Sequence, residues 1–249
     1  MAPIKAIGFD LFNTLIMAEP WGINEALARL TASLADNGIA LEQEAFKQAY
    51  RDAAVRFIRE AGLDGRETHN RFWISAALGE LGYTLAPDDP RISSGVEAYF
   101  SAFPDFCHPV PETHATLERL GDSYRLGLLS NFTHAPAALK LMDHLDLARF
   151  FEVILISGAI GFRKPHPLVF DRLTHSLGVD GKEILYVGDD PESDIKGALN
   201  AGIQPVWFTY ARDMGSPLPP GAKADPSKIP DAHIPSVSSW GELLDVLYR

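Results

Sequence analysis

Five short apolar runs constrain this chain more than any other feature: residues 4–10, 125–130, 151–157, 184–188 and 204–208, with a weaker sixth at 233–237. They are rich in Val, Ile, Leu and Phe and lack polar alternation, which suits strands buried on both faces of a parallel sheet. Helical patterns separate them. Residues 112–120 place Ala115, Leu117 and Leu120 on one stripe. Residues 167–177 do the same with Leu168, Phe170, Leu173 and Leu177, and Gly178 follows as a stop signal. Strands alternating with helices predict an α/β, doubly wound parallel sheet.

One interval breaks the rhythm. Residues 17–107 hold no convincing strand, only helix-period segments at 21–36, 41–61, 67–81 and 91–103, punctuated by GLDG at 62–65 and APDDP at 86–90. Four helices between the first and second strands predict an inserted helical domain (17–107) over one edge of an α/β core (1–16 and 108–249). Short hinges at 16–20 and 108–111 would join them, an arrangement that invites gating. The stretch MGSPLPPGAKADPSKIPD reads as a surface loop without chemistry.

A length of 249 residues accommodates such a core plus an insert. The formal charge of −11 argues against duplex nucleic acid or an anionic membrane as partner. With one cysteine, Cys107, no intrachain disulfide forms, and its neighbours lack metal-ligand spacing, so a structural thiol in a reducing compartment is expected. The first strand begins within a few residues, leaving no room for a signal peptide. No apolar stretch approaches the ~18 residues of a membrane span. A cytoplasmic protein with a small-molecule substrate is the expectation.

In an open parallel sheet, ligands bind beyond the carboxyl ends of the strands. Asp10 ends the first run and Ser130-Asn131 the second. GFRKPHP, with Lys164, follows the third, and Gly188-Asp189-Asp190 ends the fourth, with Asp194 a turn later. Singly, each has a structural explanation as a turn former, a helix cap or a solvated lysine. Jointly they bring carboxylates, a hydroxyl and an ammonium to one edge.

FDLFNTL, LLSNF, GFRKPHPLVF and VGDDPESDIKGALNAG, in that order and spacing, resemble the four motifs of the haloacid dehalogenase superfamily of hydrolases. The helical insert resembles that superfamily's cap. The resemblance implies Asp10 as a nucleophile forming an aspartyl intermediate, Ser130 holding the transferred group, Asn131 contacting substrate and Lys164 steadying negative charge.

Phosphatases of the superfamily carry a second acid two residues after the nucleophile, which protonates the leaving alkoxide. Here that residue is Phe12. The 2-haloacid dehalogenases have an aromatic residue there, since a halide leaves without a proton, and they are also similar at SN and KPHP. Their cap supplies an arginine for the substrate carboxylate. Arg51 is the nearest candidate, its alternative being an exposed helix residue beside Arg56 and Arg59.

Asp189 points the other way, because dehalogenases carry serine at that position; an acid at Asp194 is common to both branches. Two like charges ~4 Å apart cost about 1 kcal/mol in water and about 4 at an effective dielectric of 20. Mg2+ would turn that repulsion into binding, with Asp10, the Phe12 carbonyl and Asp189 as ligands and Asp194 direct or through water. The expected activity is a Mg2+-dependent phosphohydrolase with an atypical first motif. The alternatives are a metal-independent 2-haloacid dehalogenase and a degenerate member that binds phosphorylated ligands without turnover. Should a side chain other than residue 12 protonate the leaving group, His134 and His166 are the first candidates.

Overall fold

In the computed structural model, which describes residues 3–216, 230 and 233–248, six parallel strands form one sheet. They are β1 (Ala6–Phe9), β4 (Arg125–Ser130), β5 (Val153–Ile156), β6 (Ile184–Gly188), β7 (Gln204–Phe208) and the short β8 (Ser236–Val237). Their order across the sheet is β5-β4-β1-β6-β7-β8. The chain steps outward from β1 through β4 to β5, then returns to β6 on the other side of β1. The strand order therefore reverses at β1, and the ends of β1, β4 and β6 flank the crevice this creates. Register fixes their levels, with Phe9 opposite both Leu128 and Val187.

The central strands β1 and β6 are buried throughout, which explains their unbroken apolar sequence. β5 departs from the expected double burial: it is an edge strand, and Val153, Ile154 and Leu155 are only partly covered. Alternate residues of each strand face two cores. Ile7, Phe9, Leu128, Leu185 and Val187 join the larger one, and Ala6, Leu129, Ile184 and Tyr186 the smaller.

The interval between β1 and β4 is mostly helical, as expected: α1 (Gly22–Asp36), α2 (Gln43–Asp64), α3 (Asn70–Glu80), α4 (Pro90–Phe100) and the single turn α5 (Phe103–Phe106). Glu42 caps α2 by accepting from Glu44 N and Ala45 N, and Gly65 ends it in the left-handed conformation, φ 72°. The buried stripe of α1, including Leu27, Leu30 and Leu34, packs on α4. Close approach is possible because Gly95 has no side chain; a Cβ there would lie 2.7 Å from Leu30. These helices share the larger core with the sheet, since Leu27, Ile74 and Phe103 belong to the same cluster as Phe9 and Leu128.

The two connections carry secondary structure. β2 (Ile16–Ala18) and β3 (Cys107–Pro109) pair antiparallel with Met17 opposite His108, so the two connections form one ribbon. Between and after the later strands lie α6 (Thr113–Gly121), α7 (Ala135–His144), α8 (Ser157–Ile160) and α9 (Pro167–Leu177). α9 begins at Pro167 and stops at Gly178, φ 62°, where the sequence placed its end. The Pro/Gly-rich stretch lies outside the described residues from 217 to 229. Cys107 is buried in β3, and burial pushes its thiol up to about 12, the behaviour of a structural thiol. Among the described residues no helix is long and apolar enough to cross a membrane.

Candidate active site

Asp10 follows β1 directly and is held by its own N–H, which donates to Val187 O at 2.9 Å. The next residues fold back on themselves. Leu15 N and Ile16 N both donate to Leu11 O, and Asn13 makes the reversal at φ 60°, a conformation asparagine tolerates better than most residues. FDLFNTL thus builds a strand end and a tight loop that leads into β2 at Ile16.

Lys164 lies beneath Asp10 and is 2% exposed. Its three N–H donors all have partners: Asp10 Oδ1 at 2.5 Å, Asp194 Oδ1 at 2.7 Å and Tyr186 Oη at 2.9 Å. Burial alone would lower the Lys164 pKa, but Asp10 and Asp194 outweigh it and hold it well above the usual lysine value. Lys164 is therefore a fixed cation. Tyr186 in turn donates to Leu129 O at 2.9 Å. Space for its ring comes from Gly8, its partner across the β1–β6 pair, where a Cβ would lie 2.7 Å from the ring.

Asp194 sits in the wide helical turn Pro191–Lys196 that follows β6. A Cβ on Gly188 would stand 2.4 Å from its carboxyl carbon, so glycine is required there for Asp194 to reach the site. Oδ2 of Asp194 accepts from Asp190 N at 3.0 Å, while Asp190 itself caps the turn through Glu192 N and Ser193 N. Asp189 is half-buried, and Trp207 Nε1 fixes its main chain by donating to its carbonyl at 2.8 Å.

Carboxylate oxygens of Asp10, Asp189 and Asp194 lie within 4.8 Å of one another. Among the described residues, three acids around the Lys164 ammonium carry an excess of two negative charges when all are ionised, which burial and crowding oppose. Burial, Asp10 and Asp194 push Asp189 well above the usual carboxylate range. Asp194 is raised to about 7, burial leading, Lys164 opposing and Asp10 adding. An all-oxygen donor set lacking two positive charges fits a hard divalent cation such as Mg2+.

The other residues singled out from the sequence make contacts of their own. Ser130 ends β4, buried. The Asn131 amide grips the main chain of Lys164: Nδ2 donates to Lys164 O at 3.0 Å and Oδ1 accepts from Lys164 N at 2.7 Å. Arg51 is exposed on α2 and donates to Asn24 Oδ1 of α1 at 3.0 Å, a contact within the inserted helices. The Phe12 ring is stacked on Phe132 (5.4 Å, interplanar 1°) and meets Phe103 edge-on at 6.3 Å. His166 caps α9 through Leu168 N. His134 is buried, stacked on Phe100 of α4, with Nε2 3.5 Å from Glu97.

The family sequence model for haloacid dehalogenase-like hydrolases matches residues 4–202. The chain belongs to the haloacid dehalogenase-like hydrolases. The chain is 32% identical over 217 residues to the glyceraldehyde 3-phosphate phosphatase of Pyrococcus abyssi (strain GE5 / Orsay), covering 84% of this chain and 83% of that protein. It is 31% identical over 174 residues to pyrimidine 5'-nucleotidase YjjG of Escherichia coli (strain K12), covering 65% and 76%. Among solved structures it is similar to a 2-haloacid dehalogenase from Pseudomonas syringae pv. Tomato DC3000, with a TM-score of 0.71 at 25% identity over 99% of both chains.

Sequence reasoning passed over Tyr186 and Thr14. Tyr186 resembles any core aromatic in an apolar strand, its one signal being a hydroxyl in a run otherwise lacking polar side chains. Thr14 is fully buried four residues after Asp10, and its hydroxyl has no hydrogen-bond partner among the described residues.

Proposed function

We propose that this haloacid dehalogenase-like hydrolase is a Mg2+-dependent phosphohydrolase acting on a small phosphorylated metabolite, with Asp10 as nucleophile and residues 17–107 as its cap. The observation that carries the reading is Asp189, a third acid beside Asp10 and Asp194 where, among the described residues, Lys164 supplies the neighbouring positive charge. The phosphatase and nucleotidase names of its relatives support the substrate class.

In this reading Lys164 pins Oδ1 of Asp10 and so orients the carboxylate toward phosphorus. Asp10 attacks, the bond from phosphorus to the leaving oxygen breaks, and an aspartyl phosphate forms. Ser130 offers a hydroxyl to the transferred group from the end of the adjoining strand. The leaving oxygen takes its proton from water, because Phe12 has none to give. Water then cleaves the aspartyl phosphate, releasing inorganic phosphate and restoring Asp10. Asp10, Asp189, Asp194 and the Phe12 carbonyl would hold Mg2+, which when bound supplies charge neutralisation for an anionic phosphate. The missing general acid forfeits about 10²–10⁴ in rate, roughly 3–5 kcal/mol of barrier.

Phe12 and the similarity to a solved 2-haloacid dehalogenase favour a second reading, in which Asp10 attacks carbon and a halide departs unprotonated. One screen separates the two: p-nitrophenyl phosphate, alkyl phosphates and 2-haloacids, each with Mg2+ and with EDTA. Phosphate release that EDTA abolishes is expected. Halide release in EDTA, with no phosphate release in Mg2+, would replace the first reading by the second.

A further inference from the structure

The inserted helices touch the sheet domain at a place their two covalent connections do not require. After Gly65 ends α2, the chain runs beside the segment leading to Lys164. Arg66 pairs antiparallel with Phe162. Glu67 N donates to Gly161 O at 3.0 Å, and Arg163 N donates to Gly65 O at 2.9 Å. This short ladder sets the Glu67 side chain inside the α/β body, where it is 2% exposed. Oε2 accepts from Ser157 Oγ at 2.5 Å, while Oε1 accepts from Thr68 N at 3.0 Å and faces Arg163 Nη1 at 3.4 Å.

Each partner leads to the site. Ser157 is fully buried at the head of α8, and its Oγ accepts from Phe132 N at 2.8 Å. Phe132 follows Ser130 and Asn131, and its ring is the one on which Phe12 stacks. Arg163 precedes Lys164, whose main chain Asn131 holds at both ends. Glu67 therefore stands where the loop after β4, the head of α8 and the Lys164 loop meet. A buried carboxylate is costly to desolvate, and a neutral side chain would dock there more cheaply were packing its sole task.

We propose that Glu67 is a positioning residue. Its carboxylate, delivered by the inserted helices, fixes the loop of Ser130 and Asn131 against the loop of Lys164, so the site is fully assembled while the loop after α2 is docked. This rests on the reading of the Asp10–Lys164 cluster as catalytic. A swing of the inserted helices about β2 and β3 that withdrew residues 65–67 would break the contact and loosen both loops together.

Amide hydrogen exchange on the full chain tests the proposal without any substrate. In Glu67→Ala, exchange should rise about ten- to hundredfold in segments 130–133 and 161–164, the range expected for losing hydrogen bonds to a charged acceptor. Exchange at 184–188 should be unchanged. Glu67→Gln, which keeps the shape but not the charge, should lie between, and it carries the test if the alanine variant does not fold. Adding Ser157→Ala to Glu67→Ala should loosen segment 130–133 little further, because both changes cut one chain of contacts. With whichever substrate the wild type turns over, kcat should fall about tenfold or more while KM changes little. Unchanged exchange in both segments, or a uniform rise across the chain, overturns the proposal. A wild type inactive on every substrate, with the segment-specific exchange change present, would overturn the catalytic reading and leave the contact's positioning role standing.

Discussion

Tyr186 Oη lies 2.9 Å from Lys164 Nζ and takes the ammonium hydrogen that Asp10 and Asp194 leave over. The phenol passes its own hydrogen to Leu129 O of β4, so a buried cation is saturated by two carboxylates and a hydroxyl anchored across β1 to the next strand but one. A tyrosine within a strand thereby limits where the ammonium can go.

Tyr186→Phe keeps the ring, with its edge-on contact to Phe170 at 5.4 Å, and removes the hydroxyl. It leaves an ammonium hydrogen and a buried carbonyl unpaired, costing about 1–3 kcal/mol. A Tm fall of about 2–10 °C follows for a chain of this size. We expect kcat to drop about tenfold, with KM less affected, because Lys164 can then turn away from Asp10. Calorimetry and steady-state kinetics check this, and an unaltered Tm would contradict it.

Asp189→Asn removes one of three crowded acids. Without divalent ions the variant should melt at a higher temperature than wild type, because like-charge repulsion is relieved. Mg2+ at about a hundredfold over its Kd should stabilise wild type by about 2.7 kcal/mol. The variant should show little of that gain. Thermal melts over a Mg2+ titration read both effects, and equal Mg2+ responses would remove Asp189 from the metal site.

Phe12→Asp restores a carboxyl two residues from the nucleophile while keeping the main-chain carbonyl. It should raise kcat/KM for alkyl phosphates by up to about 10²-fold, with little change on p-nitrophenyl phosphate, whose leaving group needs no proton. Loss of the stack on Phe132 and the edge contact with Phe103 should also lower Tm, since a void replaces the ring. Equal gains on both substrate classes would show that protonation by residue 12 is not what limits the enzyme.

Where α3 meets α4 and the loop after β4, the rings of His69 and His134 lie edge to face at 5.0 Å. Burial lowers both; His69 falls to about 4, with His134 and Arg71 opposing its charge and Glu97 favouring it. Glu97 and Lys140 act on His134 in opposite directions. His69 Nδ1 also caps α3 by accepting from Arg71 N, a role the protonated ring cannot perform. Because the folded-state value is depressed, the stability from neutral His69 is fully present above about pH 6.5 and is lost as pH falls through about 4. His69→Asn retains a capping oxygen and removes the titration. Its Tm should decline less than wild type between pH 6.5 and 4, a difference that parallel melts across that range measure.

The strands at 125–130, 184–188 and 204–208 were legible to the residue because buried parallel strands write themselves as unbroken apolar runs. From them follows the meeting of Asp10, Lys164, Asp189 and Asp194, since parallel strands end on one edge. β2 and β3 were not legible, as IMA and CHP are too short to show alternation. Glu67 was equally hidden: a glutamate between helices reads as solvated, and its burial depends on a loop nearly a hundred residues away. Arg51 shows the converse, a residue whose type suits substrate binding while its helix face turns it to solvent.

Ala18 faces Cys107 across the β2–β3 ribbon, so everything between leaves and returns through a stem two strands wide. In terms of chain path, the inserted helices are a detour whose entrance and exit coincide. β1 and β4 pair directly regardless of what fills it, from Ala6 opposite Arg125 to Phe9 opposite Leu128. A segment of other length or shape grafted at this point would keep the same two points of attachment, Ala18 and Cys107. The constraint on such a graft is coverage: it must still shelter Phe12 and Phe132 and return a partner for Ser157 and Arg163.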